Sequence, residues 1–596
     1  MSIMRFGLVL VLLATSVAGV DGQQAKKPAK TVRLGAVSLS WAEKDRNLKH
    51  VLEMLDQAAD LRADIVCLPQ ECVPTDGGTA AQTALAAIAK AAASHRMYVA
   101  VNLREKSADK VYLTSHLIGP DGALIGQYRK SHRLPDEPIA LGDSLPVFDT
   151  PLGKIGLMVG TDHYWPEVPL VLALKGAEVI LASLGVEPVP QGMPLDTTLR
   201  VRALDDHVTM VCASYAGDLP YLCSNYPSYC GQPLGRAFVI DRAGVMVADT
   251  GHHAGVAVAP IDPKRRKDIY HLTFKEDRRL FHYLVDPKVR PAAPQGTKRK
   301  IKVSIATVGF EHGPNRNPNS EFARILDEAG SRGSDVILMT EFGLTTDNDN
   351  GKATLALVAE KAKKYKSYII IGGLRDPILP YRTGGRASWA YLWDRTGKVV
   401  GKYRISQYGD SIELPVFQTD FGVAGIILCG DIYSQEISRA LALQGAEIIF
   451  CPSQSWGPSG TVNLWMQQAR AIDNGVFMAA AHLPFSDVGQ RSYVIDPYGH
   501  LLTASSYLRD SVCTAEVDLG AGQVWFAHST TAGTAGRKGY LAGYYPRTIP
   551  EKRTDFRAVL LAGRRPALYG VITEKTLADR DHTPEVSERM AAPRKR

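Results

Sequence analysis

The chain has 596 residues, of which 45% are hydrophobic and 22% charged, and its formal net charge is +8 at pH 7. It is too long for one hydrophobic core, because domains usually hold about 100–250 residues, so two domains are expected. The positive charge lies in short clusters without an aromatic-interleaved stripe, so we expect no nucleic-acid binding.

Residues 1–22 have the pattern of a signal peptide. Arg5 supplies a positive charge, an apolar run extends from Phe6 to Ala18, and small residues follow it. The run is too short to span a bilayer, which needs about 20 residues. No cysteine lies near the cleavage region, and no later segment is apolar enough for a membrane span. We therefore expect an exported, soluble mature protein, periplasmic or extracellular, without a transmembrane anchor.

Strand and helix patterns alternate through the first half. Apolar residues at helical spacing predict a helix at 47–61, and a Pro-Asp-Gly sequence predicts the turn of a hairpin at 110–130. The other predicted elements are strands at 32–40, 64–69 and 97–103 and a helix at 79–93. Strands with hairpins and covering helices indicate a layered α/β unit rather than a purely parallel sheet.

The second half repeats the first. Five segments recur in the same order, which indicates two copies of one unit. The pairs are ADIVCLPQECV and SDVILMTEFGL, LIGQYRKSH and VVGKYRISQ, SLPVFDTPLGKIGLMVGTD and ELPVFQTDFGVAGIILCGD, LALKGAEVILASL and LALQGAEIIFCPS, GRAFVIDRAGVMVADTG and QRSYVIDPYGHLLTASS. We predict domains at 31–287 and 301–519, a linker at 288–300, and a C-terminal arm and polar tail at 520–596.

Three recurring blocks place polar residues at strand ends: CLPQE and LMTEF, YRKSH and YRISQ, and MVGTD and ILCGD. With these blocks, each copy resembles the carbon–nitrogen hydrolase (nitrilase/amidase) superfamily. The resemblance implies a four-layer αββα sandwich and a catalytic set of Cys, Glu and Lys, often with a second Glu. The residue types suit the reaction, because a thiolate attacks the amide or nitrile carbon, a Glu takes its proton, and a Lys stabilises the oxyanion.

The first copy departs from this pattern at two positions. Gln70 stands at the Glu position and Gly160 at the Cys position, whereas Lys130 and Glu137 fit the Lys and the supporting Glu. Glu71 follows Gln70, but adjacent side chains on a strand point to opposite faces, so we do not expect it to replace the base. The first copy therefore lacks a nucleophile and a base, and Lys130 and Glu137 are a remnant ion pair.

The second copy shows nearly the reverse. Glu341 occupies the base position and Cys429 the nucleophile position, but Ile405 stands where the Lys belongs. Lys402 and Arg404 flank Ile405, and on a strand both should point the other way. The segment that would carry the supporting Glu is shortened. A buried free thiol remains the alternative interpretation of Cys429.

The remaining cysteines and histidines indicate no cofactor. Cys223 and Cys230 share a polar loop in a chain expected to be exported, so they are disulfide candidates, although spacing alone does not establish the pairing. Four cysteines lie in apolar strand-like runs and should be buried and inert: Cys67, Cys212, Cys451 and Cys513. The histidines show no HExxH-type spacing, and there is no phosphate-binding loop, so we expect no metal site.

Three functions fit this pattern. The first is a degenerate hydrolase, non-catalytic or weakly active, that binds a small amide-like or carboxylate ligand or a protein partner. The second is an active amidase that uses Cys429 and Glu341. The third is a structural interaction protein. Loss of a nucleophile can cost about 10⁶ in rate, so the first copy should be inactive under any of them.

The two copies are expected to pack as an intrachain pseudo-dimer, and a higher oligomer stays open. The arms after each copy, at 275–287 and 555–572, alternate basic and apolar residues, so we expect each to lie across the partner copy. Asp162 and Asp431 lie two residues after Gly160 and Cys429, where a strand turns into a helix. We expect them to cap the next helix or hold the turn.

Overall fold

The structure, a computed structural model, describes most of the two predicted copies. The described residues are 31–40, 47–134, 137–185, 193–216, 235–262, 281–291, 296–308, 318–346, 348–380, 386–406, 413–454, 460–483, 491–506, 510–521, 524–525 and 554–574. The predicted signal peptide and the end of the polar tail lie outside them. No helix in this part of the chain is long and apolar enough to cross a membrane.

The first copy alternates strands and helices as predicted. In chain order it contains β1 (Val32–Ser40), α1 (Leu48–Asp60), β2 (Ile65–Cys67), α2 (Thr79–His95), β3 (Tyr98–Ser107), β4 (Lys110–Ile118), β5 (Leu124–Arg129), β6 (Val147–Thr150), β7 (Gly153–Val159), a 3-10 turn (Gly160–Tyr164), α3 (Glu167–Leu174), β8 (Val179–Ser183), α4 (Leu195–Asp205), β9 (Thr209–Ala216), β10 (Phe238–Ile240), β11 (Met246–Asp249) and β12 (Gly255–Ile261).

These strands form two stacked sheets with helices outside them. The orders are β5-β4-β3-β2-β1-β12 and β6-β7-β8-β9-β10-β11, and a short pairing of β1 with β9 joins the two. Along β1, Leu34 and Ala36 face the core between the sheets, whereas Val37 and Leu39 pack under α1 and α2. This period of two places apolar residues on both faces, as a four-layer sandwich requires.

The amphipathic sequence of α1 explains its position. Asn47 caps the helix by accepting a hydrogen bond from the backbone N–H of His50 at 2.9 Å. Its buried residues recur at helical spacing and face the sheet: Val51, Met54, Leu55 and Ala58.

A short helix and a second copy of the sandwich follow. The elements are α5 (His282–Val285), β13 (Lys300–Thr307), α6 (Pro318–Ser331), β14 (Val336–Thr345), α7 (Asp349–Tyr365), β15 (Tyr368–Pro380), β16 (Arg386–Trp393), β17 (Val399–Arg404), β18 (Val416–Gln418), β19 (Val423–Ile426), a 3-10 turn (Cys429–Tyr433), α8 (Gln435–Leu443), β20 (Ile448–Ser453), α9 (Gly460–Asn474), β21 (Phe477–His482), β22 (Tyr493–Ile495), β23 (Leu501–Ala504), β24 (Ser511–Asp518), β25 (Val524–Trp525), β26 (Thr554–Asp555), α10 (Phe556–Ala562) and 3-10 turns at Pro566–Leu568 and Gly570–Thr573.

The second copy has the same two-sheet order. Its sheets run β17-β16-β15-β14-β13-β24 and β18-β19-β20-β21-β22-β23. The predicted hairpin counterpart is present, because β16 and β17 pair antiparallel around the turn at 394–398. Two tandem αββα sandwiches are therefore confirmed.

The two copies pack through equivalent helices, α4 of the first and α9 of the second. Arg202 on α4 donates to Asp473 on α9 at 2.8 Å, and Arg470 on α9 donates to Asp205 on α4 at 2.6 Å. Arg202 and Arg470 are equivalent positions of the repeat, as are Asp205 and Asp473, so the pairs are related by a pseudo-twofold axis. One apolar core extends across both copies, and the predicted pseudo-dimer is confirmed.

The C-terminal arm lies on the first copy. The indole Nε1 of Trp165 donates to the Leu560 carbonyl at 3.0 Å, and the Tyr569 hydroxyl lies 2.5 Å from Nε2 of His132. The end of the first arm packs on the second copy, where α5 contacts α8. The arm prediction is confirmed for these residues, and 275–280 lie outside the described part of the chain.

Candidate active site

The strand-to-helix elbows of the two copies have the same backbone. Gly160 follows β7 with φ 49°, and Cys429 occupies the equivalent position with φ 49°. This left-handed region suits glycine but is uncommon for other residues, so the Cys429 conformation is strained. The equal angles show that the first copy keeps the backbone of a nucleophile position without a side chain.

The aspartate after each elbow holds the turn. Asp162 accepts hydrogen bonds from the Val159 backbone at 3.0 Å and the Tyr128 hydroxyl at 2.7 Å. Asp431 accepts the same bonds from Leu428 at 3.0 Å and Tyr403 at 2.7 Å. Both carboxyl groups are fully buried and therefore need these partners. The predicted structural role of Asp162 and Asp431 is confirmed. They hold the 3-10 turn and do not cap the helix that follows it.

The predicted positions of the first copy do converge in space. Lys130 Nζ donates to Glu137 Oε1 at 2.5 Å, and Lys130 is 1% exposed. A Cβ atom placed on Gly160 would lie 2.0 Å from Gln70 Oε1 and 3.2 Å from Lys130 Nζ. The Gln70 amide thus occupies the space that a nucleophile side chain would need, so this site is filled by its own side chains.

Glu71 points away from this cluster, but not for the reason expected from the sequence. Gln70 and Glu71 lie beyond the end of β2, so strand alternation does not apply to them. Glu71 instead has φ 50°, and its carboxylate forms an ion pair with Arg104. The left-handed turn and this ion pair direct the carboxylate away from the base position.

In the second copy, Glu341 and Cys429 lie side by side. The Ser388 hydroxyl donates to Glu341 Oε1 at 3.0 Å. Glu341 is 9% exposed, and Cys429 as a residue is partly exposed. The structure therefore brings the predicted base and nucleophile together.

Burial controls the ionisation of both groups. It raises the pKa of Glu341, against the opposing interactions of Cys429 and Ser388. Burial, followed by the nearby Glu341 charge, raises the pKa of the Cys429 thiol well above its ordinary value. A group of raised pKa at a strand end suggests a functional site, but here the shift keeps the Cys429 thiol protonated.

Ile405 replaces the lysine in space as well as in sequence. Its backbone N–H donates to the Ser388 carbonyl at 3.0 Å, just as the Lys130 N–H donates to Leu113 at 2.8 Å. The Ile405 side chain is 4% exposed and apolar, so no cation stands at this position. Lys402 is exposed, and its Nζ lies 4.5 Å from the centre of the Tyr391 ring, as expected for a flanking residue that points away.

The model of the carbon–nitrogen hydrolase family matches residues 31–270 and 315–526. The chain belongs to this family. Similar proteins include the omega-amidase NIT2 of Mus musculus, which is 26% identical over an alignment of 283 residues that covers 43% of this chain and 99% of the relative. A nitrilase of Pyrococcus abyssi is 33% identical over 196 residues, covering 31% of this chain and 69% of the relative.

Solved structures are also similar to part of this chain. The carbon–nitrogen hydrolase of Helicobacter pylori G27 is 22% identical, with a TM-score of 0.35, over 40% of this chain and 91% of that protein. Nit3 of Saccharomyces cerevisiae is 24% identical, with a TM-score of 0.34, over 39% of this chain and 91% of that protein. In each case the match covers less than half of this chain.

Ser388 is a residue of this hydrolase site that sequence reasoning missed. Its position in the first copy is Leu113, because both carbonyls accept from the equivalent residues Ile405 and Lys130. A comparison of the two copies could have detected it, since a hydroxyl appears opposite Ile405 only in the copy that keeps the Glu. The contact itself depends on the strand register, which sequence does not provide.

Of the other cysteines, Cys451 lies beside the site, where it interacts with Cys429 and Glu341. Cys67, Cys212, Cys451 and Cys513 are buried, as predicted, and burial raises the pKa of Cys67 to about 12. The disulfide candidates Cys223 and Cys230 lie outside the described residues. Within the described ranges, no group of three acidic, histidine or cysteine side chains is arranged to hold a metal ion.

Proposed function

We propose that this chain is an exported, degenerate carbon–nitrogen hydrolase whose second copy binds a small amide-like ligand with slow or no turnover. The observation that carries the proposal is Ile405, which is buried where the first copy has Lys130. The lysine and the thiol of one catalytic set stand in different copies, and each copy supplies only part of the set.

The first copy should be non-catalytic. Gly160 offers no nucleophile, and the Gln70 amide fills the adjacent space. Lys130 is held by Glu137 in a buried ion pair and has no thiolate to stabilise. This arrangement supports a structural role for the first copy, because breaking a buried ion pair would leave an uncompensated charge.

The second copy has a nucleophile in an unfavourable electrostatic setting. Each pKa unit above the working pH lowers the thiolate fraction about tenfold. Loss of an oxyanion-stabilising group costs a further factor of about 10²–10³. Both penalties fall on Cys429, since its pKa is raised and Ile405 occupies the lysine position.

An active amidase remains a second candidate, and the pairing of Cys429 with Glu341 favours it. Cys429 is partly exposed, and Glu341 lies close enough to affect its pKa. The omega-amidases among its relatives are named for an amide substrate, which supports an amide as the ligand class. A purely structural interaction protein would use neither group.

Ammonia release from primary amides and nitriles, measured together with labelling by acrylamide, separates these functions. Little or no turnover with slow labelling of Cys429 supports the proposal. Rapid turnover that disappears in Cys429→Ala, but not in the control Cys513→Ala, would instead establish the amidase. If amides change neither the labelling rate nor the melting temperature, the interaction protein is favoured.

Export is a separate part of the proposal. The charged start, short apolar run and small residues of 1–22 support it. Expression of the full chain followed by mass spectrometry should yield a mature N-terminus near residue 23 outside the cytoplasm. Recovery of the intact N-terminus in the cytoplasmic fraction would contradict export.

A further inference from the structure

The Glu341 carboxylate has an unused acceptor. Ser388 donates to Oε1, and the Cys429 thiol and the Gln454 backbone N–H also act on the carboxyl group, but Oε2 is buried and has no hydrogen-bond partner at usual distances in the described part of the chain. A buried polar atom without a partner costs about 1–3 kcal/mol, and more when the group is charged. A group that donates an N–H to Oε2 would remove this cost.

Glu341 also has no lysine at the position equivalent to Lys130, which the first copy retains. Lys130 sits against Glu137 there, whereas the apolar side chain of Ile405 occupies the same position in the second copy. The charge of Arg375 affects Glu341, but Arg375 is exposed on β15. The second site thus combines a buried acid with an apolar wall.

A small ligand can approach this acid from the side of Cys429. Cys429 is a partly exposed residue whose thiol interacts with the carboxyl group, so Glu341 lies one residue away from a position that borders on solvent. The protonated thiol carries no charge of its own. The Cys429 thiol therefore does not select between anionic and cationic ligands by charge.

From these three observations we infer that the second copy prefers a small cation with N–H groups, such as an amidinium, that donates a hydrogen bond to Glu341 Oε2. The inference rests on the proposed function in taking the second copy as a binding site. A hydrogen bond between charged groups is about twice as strong as a neutral one. A carboxylate ligand would instead meet Glu341 as a like charge, which disfavours it.

Acetamidinium, acetamide and acetate test the charge preference, because they share one planar skeleton and differ in charge. Each is titrated against modification of Cys429 by methyl methanethiosulfonate, followed by mass spectrometry. We expect acetamidinium to protect Cys429 at concentrations about tenfold lower than acetamide, from the difference between charged and neutral hydrogen bonds. Acetate should not protect. Equal or stronger protection by acetamide or acetate would overturn the inference.

Variants identify the group responsible. Glu341→Gln should abolish protection by acetamidinium, whereas Glu516→Gln, at an exposed position on β24, should not change it. Ile405→Lys should reverse the order so that acetate protects, and Ile405→Met is the uncharged control of similar length. Retained acetamidinium protection in Glu341→Gln would contradict the assignment. If a variant fails to fold, the order of the three ligands on the unmodified protein still decides.

Ammonia release from acetamide is measured in the same samples. Rapid turnover would disprove the proposed weak activity but leave the order of protection intact. A reversed order without turnover would disprove the cation preference alone. The two proposals can therefore fail separately.

Discussion

Arg439 of the second copy donates its Nε to Glu167 of the first copy at 2.8 Å, and each side chain is 1% exposed. Burial acts to raise the pKa of Glu167, but the charges of Arg439 and Arg564 outweigh it, and the pKa is lowered. The interface between the copies thus contains a carboxylate that stays ionised because the other copy and the arm supply cations.

Substitution of Glu167 should strongly lower the free energy of unfolding. Glu167→Ala leaves Arg439 buried without its carboxylate, which typically costs about 3–5 kcal/mol. Denaturant unfolding measures the loss, and Glu328→Ala, in an exposed pair with Arg332, is the matched control and should have little effect. Equal effects of the two substitutions would show that the interface pair does not stabilise the folded chain.

Acid should destabilise the protein partly through His163. Burial lowers the pKa of this histidine from 6.5 to about 3, and neither ring nitrogen has a hydrogen-bond partner in the described structure. Between these values the unfolded chain binds the proton and the folded chain does not, so stability is lost as the pH falls below 6.5. One such group removes about 2 kcal/mol between pH 7 and pH 5.

Replacement of His163 by the apolar residue type of the second copy tests this. The equivalent position there is Ile432, so His163→Leu should unfold with less dependence on pH in this range. His253→Leu, at an exposed position, is the control. An unchanged slope of stability against pH in His163→Leu would show that another group is responsible.

A cysteine introduced at Gly160 should not restore a reactive site. Its Cβ would lie 2.0 Å from Gln70 Oε1, although the backbone angle is one that Cys429 adopts. We expect Gly160→Cys to cost about 1–3 kcal/mol through overpacking. Adding Gln70→Ala should recover part of this loss, and a double-mutant cycle in denaturant measures the coupling. Additive effects would mean that Gln70 does not block the position.

Ile405→Lys should activate Cys429. A neighbouring ammonium lowers a thiol pKa, and each unit gives about tenfold more thiolate at neutral pH. The rate of Cys429 alkylation measured against pH should shift to lower pH, whereas Ile405→Met should not shift it. No shift would mean that a lysine at this position does not approach the sulfur.

Repetition of the chain made much of the site predictable. Aligning the copies placed Gly160 opposite Cys429 and Ile405 opposite Lys130, and the structure brings each into the expected neighbourhood. The contact of Ser388 with Glu341 was not predictable, because the register of β14 shifts around Glu341. The direction of Glu71 depends on a left-handed turn that no local sequence pattern required.

The reciprocal pairs between α4 and α9 restrict what could happen to the chain after its duplication. Each copy provides an arginine and an aspartate whose partners belong to the other copy. Deletion of either copy would leave one arginine and one aspartate of the remaining copy without their partners. It would also expose the apolar surface around them to solvent. Substitutions that ended catalysis in one half would carry no such penalty. These reciprocal contacts therefore favour retention of both copies even though their site residues differ.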